Sequence, residues 1–472
     1  MKPRTIPIPV PKFTPSHRVI IHHPPESCEL EKFDESLRFS FLILSSPHPF
    51  PDDRTLMART PLVSFVIATH NRGEVLIDCL RRTLSCGLPA DQIETIVVDN
   101  ASTDNTPIRL TAALPQVHLI SLSQNRGAVA KNYGMFKARG EFIVVLDDDA
   151  FPQPGAIMQM IRHFRDDKNL GAAVFDVTLP DGAKEASAFP DVCIGAGTGF
   201  RRTLLRKIGY FPAEFFMQAE EYDLSFRILQ AGFSVQRFWD MPLTHLKTPG
   251  ARIGQRTTRL DVRNNLYLLA RYVPEPLCHA YAADWLARYW MMALDRDADQ
   301  PPHAIEGTHR NAFLRGSAEG MAKWRLRHEG GRRLLSPETL EQIFKINEIH
   351  QRLGRAQERL GLRRILFAGF GKNLLAYYSA ARSLNLNILA VVDDQLGRPA
   401  GDREYRGIPL VTWKTLGNVR YDAVIVSNLS PVAAPRHTEA LRRVLDKPVL
   451  NLFEKSSAAV QGPIHRSQTA LH

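Results

Sequence analysis

The stretch Glu141-Phe-Ile-Val-Val-Leu-Asp-Asp-Asp149 decides the reading of this chain. Phe142 to Leu146 form an unbroken apolar run, the pattern of a buried strand, and the run stops on three carboxylates. The same grammar occurs three times upstream. Leu62-Val-Ser-Phe-Val-Ile-Ala68 ends in Thr69-His-Asn-Arg-Gly73, and Glu94-Thr-Ile-Val-Val98 ends in Asp99-Asn-Ala-Ser-Thr-Asp104. Val117 to Leu122 ends in Ser123-Gln-Asn-Arg-Gly127. Helical patterns lie between these runs: Val75, Leu76, Cys79, Leu80 and Leu84 recur at helical spacing, and a helix is predicted over Ala128 to Ala138. Apolar runs alternating with helices predict an α/β fold with a mostly parallel sheet. Ligands of such sheets sit beyond the carboxyl ends of the strands, where all four polar clusters fall.

The triplet Asp147-Asp148-Asp149 carries the chemistry. Adjacent carboxylates raise one another's pKa, and a divalent cation relieves the repulsion. Carboxylate ligands with room for phosphate oxygens suit Mg²⁺ or Mn²⁺. Alternate residues of an extended segment point the same way, so Asp147 and Asp149 face one ligand. A solvated acidic turn is the plainer alternative. Asp99 closes its strand as Asp147 does, placed for a base or ribose, or else as a turn residue. Asn125 and Gly127 precede a helix whose first N–H groups suit an anion. A metal-bound nucleoside diphosphate accounts for all of these together.

Further on, Glu220-Glu221-Tyr222-Asp223-Leu224 opens a helical pattern that runs through Ile228 and Leu229 to Gly232. Acidic residues at a helix start complement its dipole, and they are also where a general base with a raised pKa can sit. His245 follows a strand predicted over Ser234 to Phe238. It reads as a packed surface histidine or as a ligand.

These blocks, in this order, resemble the family 2 glycosyltransferases over residues about 62–275. Val66-Ile-Ala-Thr-His-Asn-Arg72, Val97-Val-Asp-Asn-Ala-Ser-Thr-Asp104 and Asn125-Arg-Gly-Ala-Val-Ala-Lys-Asn132 resemble the nucleotide-binding segments. Phe142 to Asp149 with Pro152 resembles the DxD strand. Gly195-Ala-Gly-Thr-Gly-Phe-Arg-Arg202, with Ile208-Gly209 and Phe215-Phe216, resembles the acceptor side, and Glu220 to Gly232 the block with the catalytic base. The resemblance implies a GT-A fold and inverting transfer of a sugar from a nucleoside diphosphate donor to a glycan, lipid-linked or other hydroxyl acceptor. It implies that Thr69, Asn71, Arg72 and Asp99 hold the nucleotide with Asn125, Gly127 and Lys131. Asp147 and Asp149 would hold ribose and metal, with His245 a candidate third ligand. The family's Glu-Asp is Glu220-Glu221 here, so the base falls on Glu221 or on Asp223. Lys131 stands where arginine is usual, which keeps charge but loses the bidentate fork.

The sequence divides by texture into a proline-rich extension (1–60), a GT-A unit (61–275), a helical connector (276–360), a Rossmann-like unit (361–455) and a tail (456–472) expected to be disordered. Strands are predicted over Arg18 to His22 and Phe39 to Leu44. The connector carries a helix start at Ser336-Pro337-Glu338. In the last unit Ala368-Gly369-Phe370-Gly371 follows a strand, and Asp393-Asp394 follows the next. That spacing approaches a dinucleotide site at Gly369, Gly371 and Asp393, although Leu374 replaces the third glycine. This unit either binds a nucleotide or serves as a docking domain. Asp261 to Pro274 forms an amphipathic helix that either meets a membrane surface or packs on its own domain.

Composition narrows the classes. The 472 residues suggest two to four domains, and 44% hydrophobic with 23% charged residues exclude wholesale disorder. The five cysteines (Cys28, Cys79, Cys86, Cys193, Cys278) form no CxxC pair, which points away from disulfides or structural zinc and toward a reducing, cytoplasmic setting. No apolar run reaches spanning length, and prolines stand where a signal core would be needed. The net charge of +11 is uneven. Residues 61–275 hold 24 Lys+Arg against 23 Asp+Glu, and residues 361–455 hold 14 against 8. The GT-A unit therefore gives no sign of nucleic-acid binding. An anionic partner, or peripheral contact with the inner face of a membrane, is expected at the C-terminal unit or at the basic patch between Arg310 and Arg333. Two alternatives to the transferase remain: a silent nucleotide-sugar-binding or scaffold protein, and a nucleotidyltransferase.

Overall fold

β1 (Val63–Thr69) runs between two parallel partners, β2 (Ile93–Asp99) and β4 (Phe142–Asp147). The register sets Thr69 opposite Asp99 and Ala68 opposite Asp147, so the polar ends of three strands form one row. β3 (His118–Ser121) extends the sheet beyond β2. Helices α1 (Gly73–Leu84), α2 (Thr106–Ala113) and α3 (Lys131–Lys137) connect these strands. Gly134 lets α3 lie close on the sheet, since a Cβ there would sit 2.5 Å from Val66 Cγ1. The helix expected over Ala128 to Ala138 begins as a 3₁₀ turn, Gly127–Ala130, because Gly127 takes a φ of +65°.

This computed structural model describes residues 60–248, 254–299, 308–325 and 333–454. The proline-rich extension, its two predicted strands and the expected tail lie outside the described residues. Beyond β4 the chain adds β5 (Ala150–Pro152), α4 (Ala156–Asp166), β6 (Leu170–Thr178), β7 (Gly197–Arg201), α5 (Arg202–Ile208), α6 (Glu220–Gln230) and β8 (Ser234–His245). The sheet order is β3-β2-β1-β4-β7-β6-β8-β5, parallel on one side and mixed on the other. β8 is longer than expected. It continues past Phe238 and pairs antiparallel with β5, with His245 opposite Ala150. His245 thus ends a strand beside the acidic triplet and is not a surface histidine.

The helices α7 (Gly254–Tyr272), α8 (Leu277–Ala298), α9 (His309–Arg325), α10 (Pro337–Phe344) and α11 (Ile346–Leu360) follow. Ser336 caps α10 by accepting the Thr339 N–H at 3.2 Å. Phe344 packs edge-on against Phe189 and Phe226 and beside Tyr281, joining α10 to α6 and α8. The apolar side of α7 (Leu266, Leu269, Ala270) is buried, and Gly316 and Gly320 bring α9 onto this helix. The membrane-facing option for this helix is thereby closed. No helix of the described residues is long and apolar enough to cross a membrane.

A second sheet holds β9 (Arg364–Ala368), β10 (Asn387–Val392), β11 (Glu404–Tyr405), β12 (Ile408–Val411), β13 (Ala423–Val426) and β14 (Val449–Leu450), with α12 (Leu374–Ser383) and α13 (Ala433–Val444). Its order is β11-β12-β10-β9-β13-β14, parallel except at β11. It docks on α8 through charge pairs. Asp284 accepts from Tyr405 Oη at 2.5 Å and Arg406 Nη2 at 2.6 Å, and Asp295 pairs with Arg398 and Arg403. Part of the basic excess expected to await an outside anion is neutralised within the fold.

Glu94 ties the base of the first sheet together. It accepts from Ser64 Oγ at 2.5 Å and from Arg139 N and Nε at 2.8 and 2.7 Å. Burial pushes its pKa up, but these donors outweigh it and hold the carboxyl below its usual value. A depressed folded pKa contributes stability that is present above the unfolded value, about 4.3, and lost as pH falls through the folded one. Glu94→Gln should lower the urea midpoint at pH 7, by an amount equivalent to about 1.5–3 kcal/mol. The gap to the native chain should close toward pH 3; an equal gap at both pH values would contradict this role.

Candidate active site

The row of strand ends is an electrostatic lattice. Asp148 accepts from Thr69 Oγ1 at 2.8 Å and Arg72 Nη1 at 2.6 Å. Asp147 and Asp149 converge on His245. Asp147 accepts from Lys131 Nζ at 2.6 Å. Asp149 Oδ2 accepts from Arg72 Nη2 at 2.9 Å and from Thr248 N and Oγ1 at 2.8 and 2.9 Å. His245 Nε2 lies 3.1 Å from Asp149 and 3.7 Å from Asp147, and its Nδ1 lies 2.7 Å from Glu185 Oε2. Burial disfavours the imidazolium, yet Asp149 and Glu185 raise its pKa to about 9. Asp149 is held far below the usual carboxylate range against its burial, chiefly by bonds to His245 and Arg72. Burial lifts Asp148 to about 6 despite Arg72.

Asp147, Asp149 and His245 each offer one donor atom within a 4.8 Å cluster. Two carboxylates and an imidazole whose other nitrogen is fixed by a carboxylate form a donor set that fits a divalent cation.

Several expected nucleotide ligands serve the loops instead. Thr69 and Arg72 are bonded to the triplet. Asn71, at φ +55°, accepts Thr103 N–H at 2.7 Å and fastens the 102–104 loop. Asn125 Oδ1 accepts the Gly127 N–H at 2.8 Å, and Asn100 Oδ1 accepts that of Arg126 at 2.7 Å, so these amides already have partners. Gly127 is required sterically: a Cβ would meet Phe216 O at 2.4 Å. Lys131 is buried between Asp147 and Gly195 O, 2.9 Å away. Asp99 is buried at the row's end, with Ser102 N–H at 3.3 Å.

The acid pair sits on a constrained loop. Phe216, Gln218 and Ala219 all have positive φ, and Asn264 Nδ2 holds the carbonyls of Phe215, Met217 and Gln218 at 3.0, 2.8 and 2.7 Å. Glu220 is buried, and its Oε2 has no hydrogen-bond partner among the described residues. Glu221 is half-buried, and its Oε1 lies 2.9 Å from where a Gly195 Cβ would be. Burial raises both pKa values, and for Glu220 the charge of Glu221 adds to it. Asp223 differs. It is 1% exposed and accepts from Arg227 Nε at 2.7 Å, Arg271 Nη1 at 3.0 Å and Tyr272 Oη at 2.8 Å. Its carboxylate is a structural anchor, which corrects the reading of it as a base.

The residues of the second candidate nucleotide site serve their own loop. Asp393 accepts the N–H groups of Phe370, Gln395 and Leu396 at 2.8, 3.0 and 2.9 Å. The loop of Gly369 and Gly371 packs on α8, where Arg288 Nε donates to Phe370 O at 2.9 Å and Trp285 Nε1 to Lys372 O at 3.0 Å. Sequence reasoning missed Asn100, Glu185, Thr248 and Asn264. Asn100 adjoins Asp99 and was within reach of that motif. The others act across long separations without a local signal.

The described residues thus bring together a parallel strand-end row, an acidic triplet and a facing acid pair. Residues 64–185 match the family model described as "Glycosyl transferase family 2". The succinoglycan biosynthesis protein ExoO of Rhizobium meliloti is 38% identical over 107 residues, 22% of this chain and 30% of that protein. The probable glycosyltransferase YdaM of Bacillus subtilis is 24% identical over 255 residues, 48% of this chain and 60% of that one. Among solved structures, a mannosyltransferase from Pyrobaculum calidifontis is similar at a TM-score of 0.37 and 21% identity, covering 69% of this chain and 87% of its own. The chain spans less than two thirds of the length of these curated relatives.

Asp223 and Glu221 should separate in a stability assay. Asp223→Asn leaves Arg227 and Arg271 without their buried counter-charge and should cost about 3–5 kcal/mol. Glu221→Gln removes a disfavoured buried charge and should leave the denaturation midpoint unchanged or raise it. A stable Asp223→Asn variant would reopen its role as base.

Proposed function

We propose that the chain is an inverting, metal-dependent glycosyltransferase. It moves a sugar from a nucleoside diphosphate donor to an acceptor hydroxyl, in polysaccharide or glycoconjugate assembly. The observation that carries this reading is the convergence of Asp147, Asp149 and His245 with the Glu220-Glu221 pair, which meet across Lys131 and Gly195. The family match of residues 64–185 supports it, and the name of the Rhizobium relative supports a polysaccharide pathway. The four described cysteines are free and buried, in keeping with a reducing compartment.

Asp147, Asp149 and His245 would hold Mg²⁺ or Mn²⁺, which neutralises charge on a diphosphate leaving group. Asp99, at the end of the row, has the position and the carboxylate to accept from a base or ribose. Arg72 and Lys131 balance the triplet and keep its carboxylates ionised for the ligand. Glu221 is the acceptor base. Its raised pKa suits proton removal near neutral pH, and its partial exposure lets a hydroxyl reach it. Burial is the main cause that keeps that pKa high, and the charges of Asp147 and Glu185 add to it. Attack on the anomeric carbon from the side of Glu221, opposite the leaving diphosphate, inverts the configuration. The acceptor class is a glycan, lipid-linked or other hydroxyl.

A panel of sugar nucleotides incubated with Mn²⁺ or Mg²⁺, read by nucleoside diphosphate release and product mass, tests this directly. Asp149→Ala should abolish metal-dependent donor binding. Glu221→Gln should keep donor binding and lower kcat by about 10²- to 10⁴-fold. Donor binding without turnover for any acceptor would favour a silent nucleotide-sugar-binding protein, and pyrophosphate release would point to a nucleotidyltransferase.

A further inference from the structure

The glycine loop of the second sheet packs on α8 and delivers one side chain toward the first sheet. Lys372 Nζ lies 4.6 Å from the ring centre of Tyr222 and 5.1 Å from that of Trp285, and it donates to Asn265 Oδ1 at 2.8 Å. Tyr222 is the residue after Glu221. The loop backbone is fixed where it turns: Phe370 O and Lys372 O accept from Arg288 and Trp285, and Phe370 N–H is held by Asp393. Asn265 is buried and anchored in turn to Tyr289 Oη at 3.0 Å. Its neighbour Asn264 clamps the three carbonyls of the loop that precedes Glu220.

Tyr222 also faces the metal-ligand side. Its hydroxyl accepts from Ser187 Oγ at 2.8 Å and lies 3.4 Å from Ala188 N. Two residues before Ser187, Glu185 fixes His245 Nδ1. Tyr222 thus stands between a cation supplied by the C-terminal α/β unit and the segment that orients a candidate metal ligand. A lysine is an unusual choice for mere docking. Setting an ammonium between two ring faces requires giving up water, and an apolar side chain would fill the same space without that cost. What the cation adds is a directional hold on the Tyr222 ring, and with it on the rotation of the first turn of α6.

We propose that Lys372 is a positioning residue for Glu221: through Tyr222 and Asn265, the C-terminal α/β unit sets the geometry of the acceptor base. This inference rests on the assignment of Glu221 as base. It gives the glycine loop a task that does not involve nucleotide binding and makes the second sheet part of the transferase.

The test uses the full-length protein with Lys372→Met, Lys372→Gln and Lys372→Arg. Hydrogen exchange, which needs no turnover, should rise in the Met variant at residues 186–189 and 219–224 while the second sheet stays protected. With a donor that the native chain turns over, Lys372→Met should lower kcat about tenfold to a hundredfold with donor KM unchanged. Lys372→Gln should behave similarly, and Lys372→Arg, which keeps the cation over the rings, should recover most of the rate. Unchanged exchange at 219–224, exchange that rises equally throughout the second sheet, or a rate loss that arginine fails to recover would overturn the proposal. A native chain that turns over no donor would instead refute the transferase reading, and the exchange data would still decide whether Lys372 holds the helix.

Discussion

Repulsion among three consecutive carboxylates is the constraint around which the first sheet is arranged. Two unit charges 4 Å apart interact by about 4 kcal/mol at an effective dielectric constant of 20. Asp147, Asp148 and Asp149 stand closer in sequence than any fold would tolerate without counter-charge. The strand ends at Asp147 and the chain turns at Asp148 and Asp149, so the three carboxylates meet different partners, with Arg72 bridging Asp148 and Asp149. Each counter-charge then arrives on a different element: Arg72 from the turn after β1, Lys131 from α3 and His245 from the end of β8. The β1–β4 register and the β5–β8 pairing must therefore both be right before the triplet is tolerable.

The acid pair imposes a second constraint of the same kind, met by different means. Glu220 is buried with no hydrogen-bond partner for one oxygen among the described residues, and three non-glycine residues with positive φ precede it within five positions. Such backbone conformations cost on the order of 1–3 kcal/mol each and persist only where their surroundings hold them. Here α7 does the holding. Asn264 engages the loop carbonyls, while Arg271 and Tyr272 grip Asp223 one turn into α6. The helix that sequence alone left open to a membrane is better understood as the splint for the acid pair. Its apolar face is consumed in packing, and its polar residues reach the loop.

Much of this was legible in the sequence because strands, helices and their polar ends follow local patterns. The four apolar runs became β1 to β4, and the polar ends of β1, β2 and β4 became the row at their tips. The bland reading of His245 failed, and the intramolecular partners of Asn71, Asn125 and Asp393 went unforeseen, for a common reason. Whether a polar side chain meets a ligand or a backbone depends on what lies opposite it, and that is decided by register over long separations. His245 meets Asp149 because β8 runs past Phe238 to pair with β5. Asp393 accepts three N–H groups, one from the glycine loop and two from its own turn. Asp223 and Glu221, two residues apart, diverge because one faces Arg271 and Tyr272 and the other faces Gly195.

The charge excess of the C-terminal unit shows the same limit of local counting. Arg398, Arg403 and Arg406 contribute to it, yet they face Asp284 and Asp295 on α8. Partly exposed pairs of this sort are worth little individually, about 0–1 kcal/mol, so they do not by themselves hold the second sheet to α8. The apolar contacts supply that: Phe370 and Tyr405 are buried with ring centres 5.2 Å apart, and Trp285 is buried beneath the glycine loop. The ion pairs add charge complementarity between the sheet and α8. This docking is what brings Lys372 beneath Tyr222, so the basic character of the unit acts on the active site from inside the fold.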